Sequence, residues 1–265
     1  MRLLAAHGLR PDTDLGQHFL LDENLVDLAV RESGVGPADV VLEVGAGLGV
    51  LTAALARAAG AVHAVEVDRR LEPALADALA GARNVRLHWG DAMRLPLEEL
   101  DPPPTALVAN LPYAIATPLV LESLWRLPGL TRWCVMVQRE VVDRWLAAPG
   151  GRLYGAPSVL LQLTAVPTFR RAVGREVFAP RPRVASALVA LRRVAPGPPE
   201  QVRGLVRAAF AARRKTLVNA LAGAGADKGV VAAAVAALGH PPSVRPEALA
   251  PADFAALARG LRWPA

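Results

Sequence analysis

The stretch VVLEVGAGLGVLT, residues 40–52, limits what this chain can fold into more than any other. An apolar run broken only by Glu43 reads as a strand buried on both faces, which is how strands of a parallel sheet look. Gly45, Gly47 and Gly49 then allow a sharp turn, and the alanine-rich LTAALARAAG that follows is helical, with Gly60 as its stop. Strand, tight turn and helix make the first half of a βαβ unit. Further strands are expected at 61–67, 85–89, 105–110 and 133–138, each separated from the next by a helical or turn-rich stretch. LTAVPTFRRAV and VASALVALRRV, joined by a short loop with FAPRP, read as a closing antiparallel pair. The expected class is α/β: a Rossmann-like, doubly wound, mostly parallel sheet whose last strands turn antiparallel. After Val194 the cluster APGPPE reads as a linker, and 200–223, 227–239 and 251–262 carry a helical period. Two domains are therefore expected, an α/β domain over 1–195 and a small helical domain over 200–265.

With 265 residues and 53% hydrophobic content the chain can bury a substantial core, which excludes a disordered class. The single cysteine, Cys134, cannot form an internal disulfide, and the five histidines show no zinc-type spacing, so no metal site is expected. There is no apolar run of membrane-spanning length, and MRLLAAHGLRPD lacks the apolar core of a signal peptide; a soluble, cytoplasmic protein without a membrane partner is expected. Charge is divided unevenly. Residues 1–150 hold 13 Lys+Arg against 19 Asp+Glu, a balance of −6, whereas 151–265 hold 17 against 5, a balance of +12. Nearly all of that positive charge is arginine, whose planar fork suits phosphate, so the second part is expected to carry a nucleic-acid surface.

The glycine turn itself excludes two common ligands. The third position of a G-x-G-x-x-G motif counted from Gly45 falls on Val50, and no Gly-Lys-Ser/Thr follows for a phosphate loop. Glu43, two residues before the first glycine, would repel a diphosphate and suits a ligand that bears positive charge and an amino group. Glu66 closes the next strand, 21 residues after Gly45, where a carboxylate can accept from both hydroxyls of a ribose. Asp91 ends the third strand in HWGDAM. Any one of these acids alone reads as a helix cap or a solvated turn. Three at three successive strand ends describe one pocket for a nucleoside cofactor, because open α/β sheets bind ligands at the carboxyl ends of their strands.

This combination resembles the class I S-adenosylmethionine-dependent methyltransferases. The resemblance implies that Glu43, Gly45 and Gly47 border the methionine part, that Glu66 takes the ribose, and that Asp91 takes the adenine amine. The fourth strand ends in Asn110-Leu111-Pro112-Tyr113, which looks like the Asn/Asp-Pro-Pro-Tyr motif of methyltransferases acting on exocyclic amines, though alone it reads as a strand-ending turn. An adenine amine is a poor nucleophile because its lone pair is delocalised. The Asn110 side-chain oxygen and the Leu111 carbonyl suit its two hydrogens, Pro112 stiffens the turn, and Tyr113 offers a face for the base. A carbon methyltransferase would want a nucleophilic cysteine, but Cys134 lies in the apolar run WCVMV and reads as core.

The ordered set GQHFL, EVGAGLG, VEVD, GDAM, NLPYAIATPL, MVQREVVDR, YGAPSV and FAPRPRVASAL resembles the ribosomal RNA adenine dimethyltransferase family from residue 16 to about 191, and FAARRKTLVNAL extends the match to 221. The resemblance implies that Gln17, His18 and Leu20 cover S-adenosylmethionine, with His18 standing where most relatives have Asn, and that Asn110 borders the cofactor as well as the target amine. Phe19 packs there or approaches the substrate. Asp22 would cap the next helix, which Leu25, Leu28 and Ala29 dock on the sheet. Phe178 would either stack on the target base opposite Tyr113 or serve as a hydrophobic anchor. Arg203, Arg207 and Arg214 fall on one helical face, which suits phosphate contacts or a solvated surface. NLPY and QREVVDR favour the branch that dimethylates two adjacent adenosines near the 3′ end of 16S rRNA, in the 30S subunit or its precursor, with the enzyme a monomer. Large-subunit rRNA methylation of the antibiotic-resistance type, a non-catalytic RNA-binding assembly factor, and a methyltransferase for a small-molecule or protein amine stay open.

Overall fold

The computed structural model describes residues 7–12, 15–212 and 214–264, which divide into two compact units. The first holds residues up to Val142 together with Pro167–Arg193; the second holds Asp143–Val166 and the chain from Val194 on.

The first unit is built on a seven-stranded sheet in the order β4-β3-β2-β5-β6-β9-β7, with strands β2 (Val40–Val44), β3 (Ala61–Glu66), β4 (Val85–Trp89), β5 (Ala106–Asn110), β6 (Arg132–Gln138), β7 (Ala165–Val173) and β9 (Ser186–Arg193). β1 (Phe19–Leu20) and β8 (Phe178–Ala179) form a separate antiparallel pair, with Phe19 opposite Ala179 and Leu20 opposite Phe178. β2 pairs in parallel with β3 on one side and β5 on the other, and β9 runs antiparallel to β6. The mostly parallel, doubly wound sheet with an antiparallel closing strand is therefore present. Strand order reverses at β2: the chain goes outward to β3 and β4, then returns to β5 and β6. The five apolar runs became these strands because both faces are covered; Val41, Leu42, Leu107, Val108, Val135 and Val137 are all fully buried.

Helix α1 (Glu23–Ser33) is capped by Asp22, whose carboxylate accepts from the Leu25 N–H at 3.0 Å, and it buries Leu25, Val26, Leu28 and Ala29. The glycine turn leads into α2 (Val50–Ala58), and α3 (Glu72–Ala78) and α4 (Ala116–Arg126) connect later strands. The chain passes to the second unit within α5 (Arg139–Trp145). That unit adds α6 (Ala156–Gln162), α7 (Glu200–Ala211), α8 (Leu217–Gly223), α9 (Lys228–Ala237) and α10 (Pro251–Gly260). Its core holds the fully buried Phe254 and Tyr154 against the half-buried Phe210, which stacks on Phe254 at 5.6 Å and meets Tyr154 edge-on, and the Tyr154 hydroxyl donates to the Leu249 carbonyl at 2.9 Å.

Three sequence expectations meet a different arrangement. A single cut at 195 becomes an interleaved division, because α6 packs on α7 and α10 rather than on the sheet. The helix expected over 200–223, a range that includes Arg213 outside the described residues, is two helices, since Thr216 caps a new one by accepting from the Asn219 N–H. Arg214 therefore does not share a helical face with Arg203 and Arg207, and both of those arginines pair with Glu200 on their own helix.

α2 ends at Ala58 with Ala59 as its C-cap, so Gly60 follows directly as the expected stop, and it also serves a close approach. A Cβ at Gly60 would lie 2.4 Å from the Pro37 backbone oxygen, in a loop held by the Gly60 N–H donating to the Asp39 carbonyl at 3.0 Å. Gly60→Ala is expected to destabilise the first unit by about 1–3 kcal/mol through overpacking, read as a lower urea midpoint at unchanged slope.

Candidate active site

The carboxyl ends of β2, β3 and β5, the loop after β4 and the segment 15–20 enclose one cavity of about 330 Å³. Its walls include Gln17, His18, Phe19, Leu20, Glu43, Gly45, Gly47, Glu66, Asp91, Asn110, Leu111, Pro112 and Tyr113. Twelve of the thirteen residues expected from the sequence to form the site are thus brought together, and Phe178 is not. Phe178 is 3% exposed in the core cluster beside Phe19 and Leu20, because β8 pairs it directly with β1. The anchor reading of Phe178 holds in this conformation, and stacking on a base would require it to leave the core.

The glycine turn is shaped by its neighbours. Gly47 has φ +57°, and a Cβ there would meet the Phe19 ring at 3.1 Å. Gly45 has φ +82°, and its Cβ would sit 3.4 Å from Pro112 Cδ and 3.6 Å from the Asn110 carbonyl. Phe19 thus packs on Gly47 and Pro112 on Gly45, while Asn110 reaches His18 directly, so the three segments meet around a turn whose positive φ at both positions favours glycine.

The two deepest acids differ in how they are satisfied. Glu66 Oε2 accepts from the Gly47 N–H at 2.8 Å, and Oε1 accepts from the Val67 and Asp68 N–H groups at 2.9 Å each. Burial raises its pKa, and those three donors oppose the rise. Glu43 is 1% exposed, and its Oε2 has no hydrogen-bond partner. Burial pushes its pKa up to about 8; the Thr52 hydroxyl opposes the rise without meeting hydrogen-bond geometry, and the Glu66 charge adds to it. Asp91 Oδ1 accepts from the Met93 N–H at 2.9 Å at the cavity's outer rim.

On the other side, the Asn110 side-chain NH2 donates to the His18 carbonyl at 3.0 Å. A carbonyl only accepts, so this bond fixes the amide orientation and leaves Asn110 Oδ1 as an acceptor for something else. The Tyr113 hydroxyl is 2.7 Å from Ser186 Oγ, and burial raises its pKa. His18 Nδ1 lies 2.8 Å from the Pro180 carbonyl, so that nitrogen bears the proton, and the imidazole is tilted against Tyr113 at 5.7 Å between centroids. His18 therefore ties the covering segment to the loop after β8. Gln17 lines the cavity, but both ends of its amide are engaged by Asp12 and Asp68. Asp68, Pro180 and Ser186 support the lining residues from outside the cavity; they fall within VEVD and FAPRPRVASAL, but nothing along the chain shows which side chains they hold. Cys134 is core, with its thiol pushed up to about 12 by burial. Among the described residues no group of three or more His, Cys, Asp or Glu is arranged to hold a metal ion, and no helix is long and apolar enough to cross a membrane.

The residues present suit a cationic nucleoside ligand: an unpartnered buried carboxylate oxygen on Glu43, a second buried carboxylate on Glu66, a glycine turn that lets the backbone approach, and Asp91 at the outer rim. Glu43 has a further consequence for stability. Its folded pKa lies above the ordinary 4.5, so the folded chain keeps a proton that the unfolded chain has lost. The stability it contributes is full below about pH 4.5 and is lost as pH rises toward about 8. Glu43→Gln is expected to flatten that decline in the cofactor-free protein, with a smaller slope of the same sign left by Glu66. Urea unfolding from about pH 5 to 8.5 measures it, and an unchanged slope would show that Glu43 is ionised in the fold.

The comparisons with known proteins agree with this geometry. The family model described as ribosomal RNA adenine dimethylase matches residues 8–237. A protein of Rubrobacter xylanophilus called ribosomal RNA small subunit methyltransferase A is 48% identical over 258 residues, covering 97% of each chain. One of the same name from Moorella thermoacetica is 41% identical, covering 99% of this chain and 96% of its own. Among solved structures, a dimethyladenosine transferase from Plasmodium falciparum superposes with a TM-score of 0.75 at 23% identity, covering 91% of this chain and 96% of its own. The 23S rRNA methyltransferase ErmE gives 0.69 at 26% identity, covering 92% and 99%. The chain belongs to the ribosomal RNA adenine dimethylase family.

Proposed function

We propose that this chain transfers methyl groups from S-adenosylmethionine to the exocyclic N6 amines of two adjacent adenosines near the 3′ end of 16S rRNA, acting as a cytoplasmic monomer on the 30S subunit or its precursor. The observation that carries the reading is Asn110: its NH2 is spent on the His18 carbonyl, so its oxygen is held as an acceptor beside the acid-lined cavity. In this role Asn110 Oδ1 and the Leu111 carbonyl accept the two amine hydrogens of the target adenine and orient its lone pair. Tyr113, braced by Ser186, receives the face of the extruded base. Glu66 takes the ribose of the cofactor, Asp91 its adenine amine, and Glu43 its charged methionine end. The cofactor brings a methyl on a sulfonium, already a good leaving group, so alignment matters more than a strong base.

Charge supports an RNA substrate, and it is distributed differently from the halves of the chain. Residues 167–193, which belong to the first unit, carry seven arginines against Glu176 alone. Arg171, Arg175, Arg181 and Arg183 are exposed there, and Pro180 between them bonds the cavity residue His18. Positive charge therefore lies beside the site as well as in the helical unit. The small-subunit name of the relatives at 41–48% identity supports that branch over the large-subunit one, represented by ErmE at 26%.

Labelled cofactor with unmethylated 30S particles, or with naked large-subunit rRNA, tests the substrate. Labelling of the 30S particle at two adjacent adenosines is expected; labelling only of the large-subunit RNA would overturn it. Asn110→Ala should lower the single-turnover rate by about 10²–10³ while RNA binding stays within a few-fold, as for loss of one aligned hydrogen-bonding group. An unchanged rate would remove Asn110 from the chemistry.

A further inference from the structure

Between the cavity and solvent, four polar side chains make a network that the chemistry does not use. Gln17 Oε1 accepts from the Asp12 N–H at 2.8 Å, and its Nε2 donates to Asp68 Oδ2 at 2.7 Å. Arg70 grips the same carboxylate with two donors, Nε to Oδ1 at 2.7 Å and Nη2 to Oδ2 at 2.8 Å, and its Nη2 also reaches Asp12 Oδ2 at 2.9 Å. The Gln17 N–H closes the loop on the Asp12 carbonyl at 3.1 Å. The Arg70 guanidinium, and to a lesser degree the Gln17 amide, hold the Asp68 carboxyl below its usual range, so it is ionised in this setting.

The two ends of the covering segment are held by different physics. At residues 18–20 the ties are buried or backbone: the Phe19 ring on Gly47, the β1–β8 pair, and the Asn110 NH2 on the His18 carbonyl. At residues 12 and 15–17 the ties are this network, with the Arg70 side chain 54% exposed and Leu15 40% exposed over the cavity. Asp68 is buried, its side chain 5% exposed, but Arg70 keeps that carboxylate paired when Gln17 and Asp12 leave. Opening here therefore breaks only the part-buried Gln17 contact and the exposed Arg70–Asp12 pair, at lower cost than withdrawing a buried aromatic anchor. The segment is thus built with a fixed end and a releasable end. The Asp68 N–H also donates to Glu66 Oε1, so the network grips the turn that aims the ribose-binding acid.

We infer that Asp12, Gln17, Asp68 and Arg70 form a latch that closes the segment 15–20 over the bound cofactor and sets how fast cofactor and product leave. The inference rests on the cofactor reading above. Gln17 is in this view a positioning residue: its amide holds the cover shut rather than touching the ligand, its oxygen accepting from Asp12 while its NH2 donates to Asp68.

Binding and dissociation of S-adenosylhomocysteine, by titration and by displacement, test the latch in the full chain. Gln17→Ala and Arg70→Ala should each weaken binding about tenfold, almost wholly through faster dissociation. The double variant should be little worse than either single one, since both remove one closure. For Arg70→Ala, a residue outside the cavity lining, the single-turnover rate at saturating cofactor should stay within about twofold, because the Arg70 side chain makes no contact with the reacting amine. Gln17→Glu separates the latch from mere space filling. It keeps the shape and the acceptor for Asp12 but loses the donor to Asp68, and it should bind as weakly as the alanine variant. In the unaltered chain, hydrogen exchange at residues 15–20 should slow at least tenfold on adding S-adenosylhomocysteine, while β2 changes little. Parent-like binding by Gln17→Glu, or no slowing of exchange, overturns the latch alone. Failure of the unaltered chain to bind S-adenosylhomocysteine overturns the cofactor reading and the latch together.

Discussion

β2 has a parallel neighbour on each side, and that placement is the constraint from which the rest of the site follows. The chain leaves β2 toward β3 and later re-enters the sheet on the opposite flank as β5, so the connections that follow the two strands part and leave a crevice between them. Register then decides what faces it. With Glu43 opposite Ala64 and Val44 opposite Val65, Glu43 and Glu66 arrive at the same edge, and the pairing of Glu66 with Trp89 brings Asp91 to the next position along. A slip of one residue would turn Glu43 to the other face of the sheet. The apolar residues that fix the register are the same ones that fill the core, so the site and the stability of the first unit rest on one set of contacts.

The strands were legible because a parallel sheet forces apolar runs, and the ends at 40, 44, 85 and 89 agree with the sequence reading. The acids were legible because they stop those runs. Glycine positions were legible as a turn, although what makes Gly47 necessary is Phe19, and that contact cannot be read along the chain. The β1–β8 pair escaped for the same reason: two residues per strand carry no periodicity, and the partners lie on either side of the whole sheet in sequence. Phe178 reads along the chain as a base-stacking residue or an anchor, and the pairing with Leu20 that buries it is not visible there. Gln17 and His18 were expected to face the cofactor. They line the cavity, but the Gln17 amide serves Asp68 and Asp12 and the His18 Nδ1 serves Pro180, a distinction that depends on side-chain direction rather than on residue type.

Charge was misplaced for a topological reason. Dividing the chain at 150 assigns the arginines after β7 to the helical part, yet the chain returns to the sheet at Pro167 and carries them with it. The first unit is then not simply an acidic cofactor domain. Its acids are drawn inward at the strand ends, where burial raises the pKa of Glu43 and Glu66, while its exposed loop after β7 is basic. One unit therefore presents an anionic cavity for a cationic cofactor next to a cationic surface for an anionic polymer, and the two attractions do not compete because one is buried and the other solvated.

Within the cavity the two carboxylates have unequal tasks. Glu66, held by three backbone donors, has its position and charge set by the fold and can act as a fixed acceptor. Glu43 has no such support. A buried carboxylate with an orphaned oxygen either keeps a proton or finds a cation, since leaving it ionised and unpaired is the costliest state available. A neutral ligand would leave Glu43 protonated, and an anionic one would raise its pKa further. A ligand bringing an ammonium or sulfonium charge instead lowers that pKa and lets the proton go, so binding such a ligand relieves a burden that the empty fold carries at neutral pH. A strand-end glutamate in this state favours a cationic ligand on charge alone, while the packing of Phe19 on Gly47 and of Pro112 on Gly45 limits the shape of the cavity beside it.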